Sequence, residues 1–273
     1  CSVKTGACPE DCHYCPQSAR YQTGVNVHGL MSEEEVLKNA KEAKNNGSSR
    51  FCMGASWRDL PDGKEFDEVT NLIEKVSALG LEVCCTMGMV NKEQAQKLKK
   101  VGLHTYNHNI DTSPDFYNEI IGTRNFQDRV DTLNSIQEAG INVCSGGIIG
   151  MGESLHDRFK FLAVLASRNP QPDSVPINAL SPIEGTPLGE QKLIDPLELV
   201  RMVATARIFM PKAMVRLSAG RRFLSDEAQA LCFVAGANSI HTGEKLLTTP
   251  NAGTNNDYAL LNKLGMETLE AQL

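Results

Sequence analysis

Eight short runs rich in apolar and β-branched residues alternate with longer stretches of helical periodicity, and this rhythm limits the fold more than any other feature of the chain. The strand candidates are residues 1–5, 50–53, 81–86, 105–109, 142–145, 174–178, 214–218 and 239–240. Helix starts fall between them. Ser32 with Glu35 and Asn91 with Gln94 each form a capping box, and Asp195-Pro196 with Glu198 joins an N-cap, a first-turn proline and an acid at the positive helix end. Further helices are expected from near Phe66, over 126–140, after Ser154, after Ser225 and over 258–264, with stops at Gly47, Gly80, Gly102 and Gly140. Crossovers of this length permit parallel pairing. Repeated βα units of this kind predict an α/β fold, a (β/α)8 TIM-type barrel with its site inside the C-terminal mouth, rather than an open doubly wound sheet.

The 273 residues suit one such barrel, and no linker or low-complexity tract divides them, so a single domain is expected over 1–273, with 251–273 a tail that carries no usable motif. Lys+Arg number 27 against 33 Asp+Glu, a net charge of −6 without any basic run, which argues against a nucleic-acid surface. No apolar run reaches the roughly 18 residues a membrane span needs. Cys1 stands where a Met would start a chain, and strand-like sequence follows at once. An amino-terminal segment is therefore expected to be missing, and any targeting peptide with it.

The candidate strands end in chemically capable residues: Cys52, Cys84 or Cys85, Asn107 to Asn109, Cys144, Asn178 and Arg216. In a parallel barrel these ends converge on one mouth. Neighbouring strands lie about 4.8 Å apart, so thiols from strands two, three and five can meet there and suggest a metal centre. Cys84 and Cys85 are adjacent and only one can face inward; the pattern does not say which. Nine cysteines in a chain with a full-sized core point to metal binding or catalysis rather than to a disulfide scaffold. Cys1 and Cys232 read as structural. Cys8, Cys12 and Cys15 form C-x3-C-x2-C in the loop after the first strand. Zinc and an iron–sulfur cube each want four ligands. His13 lies between ligands and would need a strained loop to be the fourth, whereas three thiolates around four irons leave one iron open to a small ligand.

This triplet, with Tyr14 before its last Cys, resembles the radical S-adenosylmethionine superfamily. The resemblance implies a [4Fe–4S] cluster held by Cys8, Cys12 and Cys15, whose open iron chelates S-adenosylmethionine and delivers the electron that frees a 5′-deoxyadenosyl radical. Gly146 to Glu153 matches the superfamily's G-x-I-x-G-x-x-E pattern, which sets Ile148, and Tyr14 with it, beside the adenine. His108 reads as a hydrogen-bonded structural histidine.

Eight ordered segments, among them CPEDCHYCPQSARYQTGV, RFCMGASWRD, YNHNIDTS, NVCSGGIIGMGE and VRLSAGR, resemble the biotin synthase family from Cys1 to about Pro250. That family inserts sulfur between two saturated carbons of dethiobiotin. The resemblance implies a [2Fe–2S] cluster on Cys52, Cys84, Cys144 and Arg216 that serves as the sulfur donor, with Cys84 chosen because it occupies the family's position before x-Thr. It further implies Asn109 and Asn178 on the ureido ring, Asp111 on the nucleoside ribose and Arg129 toward the methionine carboxylate. Two C–H bonds must break, so two molecules of S-adenosylmethionine are expected per biotin. A homodimer, a flavodoxin or ferredoxin with its reductase, and the iron–sulfur assembly machinery are the implied partners. The implied compartment is the cytoplasm, or the mitochondrial matrix in a eukaryote. Three rivals compete: another radical enzyme on the same barrel, a zinc or iron–sulfur electron-carrier module, and a metal-free barrel aldolase, which would need a strand-end Lys that is absent here.

Overall fold

The computed structural model describes residues 1–269. Its strands are β1 (Ser2–Lys4), β2 (Arg50–Ala55), β3 (Glu82–Thr86), β4 (Thr105–Asn107), β5 (Asn142–Cys144), β6 (Gly147–Ile149), β7 (Ser174–Ala179), β8 (Met214–Leu217), β9 (Ser239–Ile240), β10 (Lys245–Leu246) and β11 (Thr249–Pro250). The helices are α1 (Glu33–Asn45), α2 (Lys64–Ser77), α3 (Lys92–Lys100), α4 (Tyr117–Ile120), α5 (Phe126–Glu138), α6 (Leu155–Ala166), α7 (Pro196–Phe209), α8 (Asp226–Val234) and α9 (Thr254–Lys263). The expected capping boxes form at Ser32–Glu35 and Asn91–Gln94, and others at Asn125–Asp128 and Ser154–Asp157.

The main sheet runs β1-β2-β3-β4-β5-β7-β8-β9, all parallel, with β6 also paired to β7. This is the strand order of a TIM-type barrel. Among the described residues no ladder joins β9 back to β1. Side chains span that seam instead: Ser48 Oγ lies 3.3 Å from Thr242 Oγ1, Tyr258 donates to the Asn46 carbonyl at 2.7 Å, and a Cβ on Gly54 would meet Leu247.

Period-two alternation divides each strand into an outer and an inner row. The outer row (Phe51, Met53, Val83, Cys85, Val143, Val175, Ile177, Val215, Leu217) packs against Val36, Ile73, Leu98, Ile136, Leu162 and Val203 from the helices. Each such side chain contributes roughly 1.5–3 kcal/mol on burial. The inner row holds Cys52, Cys84, Cys144, Ser174 and Arg216, none of which joins that core. An ordinary barrel fills its interior with branched apolar residues, so an inner row of thiols, a hydroxyl and a guanidinium marks the interior as a site.

Two expectations need correction. Strand five is not one run but two, because the chain breaks at Ser145-Gly146: a Cβ at Gly146 would stand 1.9 Å from the Pro176 carbonyl oxygen, and Pro176 has no N–H with which to continue the ladder. The last helix starts at Thr254 rather than near Tyr258, since Glu244 accepts from the Thr254 N–H and buried Asp257 pairs with Arg221 at 2.7 Å. These contacts are tertiary and leave no local signal. The expected tail over 251–273 holds this helix, as the reading of 258–264 as helical implies; its residues 270–273 lie outside the described residues.

Candidate active site

The loop after β1 is shaped by its own backbone. Cys8 N–H donates to the Gln17 carbonyl at 3.0 Å, Ala19 N–H returns to the Cys8 carbonyl at 2.7 Å, and Cys15 N–H closes a turn onto the Cys12 carbonyl at 3.0 Å. Asp11 then ties the loop to the segment after α4, accepting from the Gly122 and Thr123 amides at 2.9 and 3.1 Å and from the Thr123 hydroxyl at 2.9 Å. Burial raises the Asp11 carboxyl, but the Thr123 hydroxyl and these amides outweigh it and hold the pKa below the usual carboxylate value. Glu10 is buried between Arg124 at 3.3 Å and Arg58 at 3.4 Å.

These ties turn Cys8, Cys12 and Cys15 toward one cavity of about 190 Å³, shared with Tyr14, Asn109, Asp111, Arg124 and Arg129. Burial pushes all three thiols up, and Cys15, with Cys12 and Cys8 beside it, is pushed up to about 12. Such thiols hold their protons until metal displaces them. Among the described residues no three His, Cys, Asp or Glu side chains close around a single metal ion; the triplet faces a space, as a cluster of several irons requires. Tyr14 and Ile148 pack on the same small apolar group as Cys12 and Met151; Tyr14 lines the cavity, and Ile148 does not.

The second thiol group is carried by strands. Register sets Cys52 beside Cys84 across β2 and β3, and Asn107 beside Cys144 across β4 and β5. Side by side in the register, the two thiols shift one another, Cys52 down and Cys84 up, with Cys144 near enough to add to the latter. Cys85 turns outward into the apolar layer, where burial holds its proton. Arg216 is buried on β8, donates Nε–H to Ser239 Oγ at 2.9 Å and sets Nη1 3.8 Å from Cys144 Sγ. Asn107 Nδ2 lies 3.5 Å from the same sulfur. Three thiols and a guanidinium from four strands therefore meet inside the barrel, a donor set of the kind a small iron–sulfur group needs.

Of the residues expected on substrate and nucleoside, Asn109, Asp111 and Arg129 line the cavity with Cys8, Cys12 and Cys15, whereas Cys52, Cys84, Cys144 and Arg216 do not line it. Asn109 accepts the Gly146 N–H at 3.1 Å through Oδ1, which leaves its Nδ2 donors for the cavity. Asp111 is held at φ 66°, in the left-handed region, with its carbonyl accepting Ile148 N–H at 2.7 Å. Arg129 is not a solvated helix arginine: it is buried, forms an ion pair with Asp111, and donates to Tyr117 Oη at 3.0 Å. Asn178 is committed to backbone, donating to the Gly147 carbonyl at 2.9 Å and accepting Ala219 N–H at 3.1 Å, and it does not line the cavity. His108 is buried in the cavity wall, yet its Nε2 has no hydrogen-bond partner, contrary to expectation. Burial first, then Arg129 and Arg124, push its pKa well down, so the ring is neutral. His13 and Cys232 lie away from the cavity, Cys232 fully buried in the outer core.

The sequence reading passed over several residues. Arg124 sets Nη2 3.7 Å from Cys12 Sγ, and Trp57 and Leu247 line the cavity. His241 Nδ1 lies 2.9 Å from Ser218 Oγ. Only His241 left a signal, two residues past Ser239 and so on the same strand face.

The Radical SAM superfamily model matches residues 2–165, and the Biotin and Thiamin Synthesis associated domain model matches residues 176–267. The chain is 55% identical to a biotin synthase of Flavobacterium johnsoniae, covering 97% of this chain and 73% of that protein. It is 59% identical to one of Ralstonia nicotianae, with 97% and 73% covered, and 58% identical to one of Allorhizobium ampelinum, with 99% and 83% covered. Among solved structures, methylornithine synthase superposes with a TM-score of 0.83 at 19% identity over 98% of this chain and 82% of that one. The [FeFe]-hydrogenase maturase HydG superposes with a TM-score of 0.80 at 18% identity over 97% and 62%. At those identities the two structures speak to the fold alone. With more than half its residues identical to these relatives over 97–99% of its length, the chain belongs to the biotin synthase family of radical S-adenosylmethionine enzymes.

Proposed function

We propose that the barrel inserts sulfur into dethiobiotin to form biotin, with the two thiol groups holding two different iron–sulfur clusters. The observation that carries this reading is their separation: Cys8, Cys12 and Cys15 on a loop at the mouth, Cys52, Cys84, Cys144 and Arg216 on strands inside it, with Asn109 and Asp111 at the cavity wall near the first group. When bound, the loop cluster and S-adenosylmethionine would supply the 5′-deoxyadenosyl radical, and the strand cluster the sulfur.

The protein's own part is binding, orientation and exclusion of water. Tyr14 and Ile148 form an apolar wall for the adenine, and Asp111 accepts from the ribose. The Arg129 guanidinium, oriented by Asp111 and Tyr117, faces the carboxylate of the methionyl group. Asn109 donates Nδ2 to the ureido carbonyl. Asn178, committed to the Gly147 carbonyl and the Ala219 amide, shapes the backbone behind the site instead. The surrounding barrel keeps water from a carbon radical. We read residues 1–269 as one catalytic unit that works as a homodimer, receives electrons from a flavodoxin or ferredoxin and its reductase, and depends on the iron–sulfur assembly machinery. All nine cysteines are free, as suits a reducing compartment such as the cytoplasm or matrix. Among the described residues no helix is long and apolar enough to cross a membrane.

The test is anaerobic reconstitution, with iron and sulfide counted before and after incubation with dethiobiotin, S-adenosylmethionine and a reductant. Biotin formed together with loss of the [2Fe–2S] absorption supports the reading. Biotin formed while that absorption stays intact overturns the donor assignment.

A further inference from the structure

Two arginines border the loop cavity, and they are satisfied very differently. Arg129 is engaged by Asp111 and by Tyr117. The Arg124 side chain is buried to the same degree, yet among the described residues it makes a single hydrogen bond: Nη2 donates to Cys12 Sγ at 3.7 Å. Its Nε lies 3.3 Å from Glu10 Oε2 but is not aligned to donate to it and has no other partner. The Thr123 hydroxyl donates to that same carboxylate oxygen at 2.6 Å. Glu10 is also anchored by Arg58 at 3.4 Å, and Arg58 donates to the Thr123 carbonyl at 3.1 Å. Glu10 thus fixes where the Arg124 charge sits without consuming its donors. A guanidinium carries five N–H groups, and leaving them unmet in a buried place is costly. An anionic, sulfur-rich group bound to Cys12 would meet them.

We propose that Arg124, held by Glu10, donates a charge-assisted hydrogen bond to Cys12 Sγ and so raises the reduction potential of the iron–sulfur group on Cys8, Cys12 and Cys15. The proposal rests on the reading of those three cysteines as ligands of that group. A cationic donor at a ligand sulfur stabilises the more negative, reduced form. Arg124 acts through Cys12 and is a positioning residue of the loop site, a part distinct from that of Arg129 beside Asp111.

The experiment is a redox titration of the [4Fe–4S] signal in the full-length reconstituted enzyme without S-adenosylmethionine, with the [2Fe–2S] midpoint of the same sample as internal reference. Arg124→Met removes charge and donors, and Arg124→Lys keeps the charge. At a fixed solution potential Arg124→Met is expected to lower the reduced-to-oxidised ratio of the loop cluster about tenfold, the scale of one charge-assisted hydrogen bond, or ~59 mV for one electron. Arg124→Lys is expected to recover most of that change, and the [2Fe–2S] midpoint to stay where it is in the parent. If Arg124→Met does not hold the loop cluster, Arg124→Gln, which keeps a donor without the charge, is titrated in its place and is expected to show part of the same drop. A midpoint equal to the parent's in the variant that is titrated overturns the proposal. So does an Arg124→Lys that behaves as Arg124→Met does, a shift common to both clusters, or a raised KM for S-adenosylmethionine with the midpoint unmoved. A parent protein without any [4Fe–4S] signal overturns the underlying ligand reading as well, so the two failures are told apart.

Discussion

The two thiol groups are built in opposite ways. Cys8, Cys12 and Cys15 lie within eight residues on a loop, and Asp11 and Glu10 fasten that loop to the segment around Thr123 and Arg124 from outside. Cys52, Cys84, Cys144 and Arg216 are spread over 165 residues and are brought together only by parallel register. The loop group takes its shape from its own backbone turns and from those ties. The strand group is set in the barrel frame, where an error of one residue in register would turn a thiol into the outer core. A site that exchanges small molecules suits the first construction, and a site that must hold a donor in fixed relation to a substrate carbon suits the second.

The largest expected effects separate the two groups outright. Cys12→Ala should abolish both cleavage of S-adenosylmethionine and biotin formation, whereas Cys144→Ala should still release 5′-deoxyadenosine but make no biotin. Both products are measured in the same reaction, and normal biotin from Cys144→Ala would break the division of labour drawn here. Next comes Gly146→Ala, which puts a methyl group against the Pro176 carbonyl two residues past Cys144. Overpacking of this kind costs about 1–3 kcal/mol or more. Urea denaturation should show the loss, and [2Fe–2S] content should fall before [4Fe–4S] content.

A smaller effect should follow Asp11→Ala, which removes the carboxylate that ties the loop to Gly122 and Thr123. Iron should leave the loop site several-fold faster under a chelator while the strand site keeps its content; equal loss from both would erase the contrast. The smallest effect is one of pH. The folded-state pKa of Cys15 is raised to about 12 and that of Cys232 to about 11, both from 9.0. Raised thiols contribute stability that is fully present below pH 9 and is lost as pH rises through the folded values, so the reduced, metal-free protein should weaken between pH 9 and 12, by less than about 1.4 kcal/mol per pH unit for each thiol. Loading the loop site removes the Cys15 proton beforehand and should cancel its share, leaving those of buried thiols outside the loop such as Cys232 and Cys85. Denaturation midpoints at pH 8 and pH 11 check both.

The loop group was legible from the chain alone because its ligands are near neighbours, and a spacing of three and two residues constrains geometry locally. The eight-fold strand and helix rhythm was legible for a similar reason: capping boxes, glycine stops and apolar periodicity act within a turn or two. The family resemblance also singled out Cys84, but no local rule could separate it from Cys85. Tertiary structure separates them by register, which pairs Cys84 with Cys52 and buries Cys85 among Phe51, Val83 and their neighbours. The same holds for the break at Gly146, forced by a carbonyl thirty residues away, for the burial of Arg129 against Asp111, and for His241 beside Ser218. Local sequence determined which elements form and which loop gathers sulfur. Tertiary structure decided which side chains share the interior, because that depends on contacts between residues far apart in the chain.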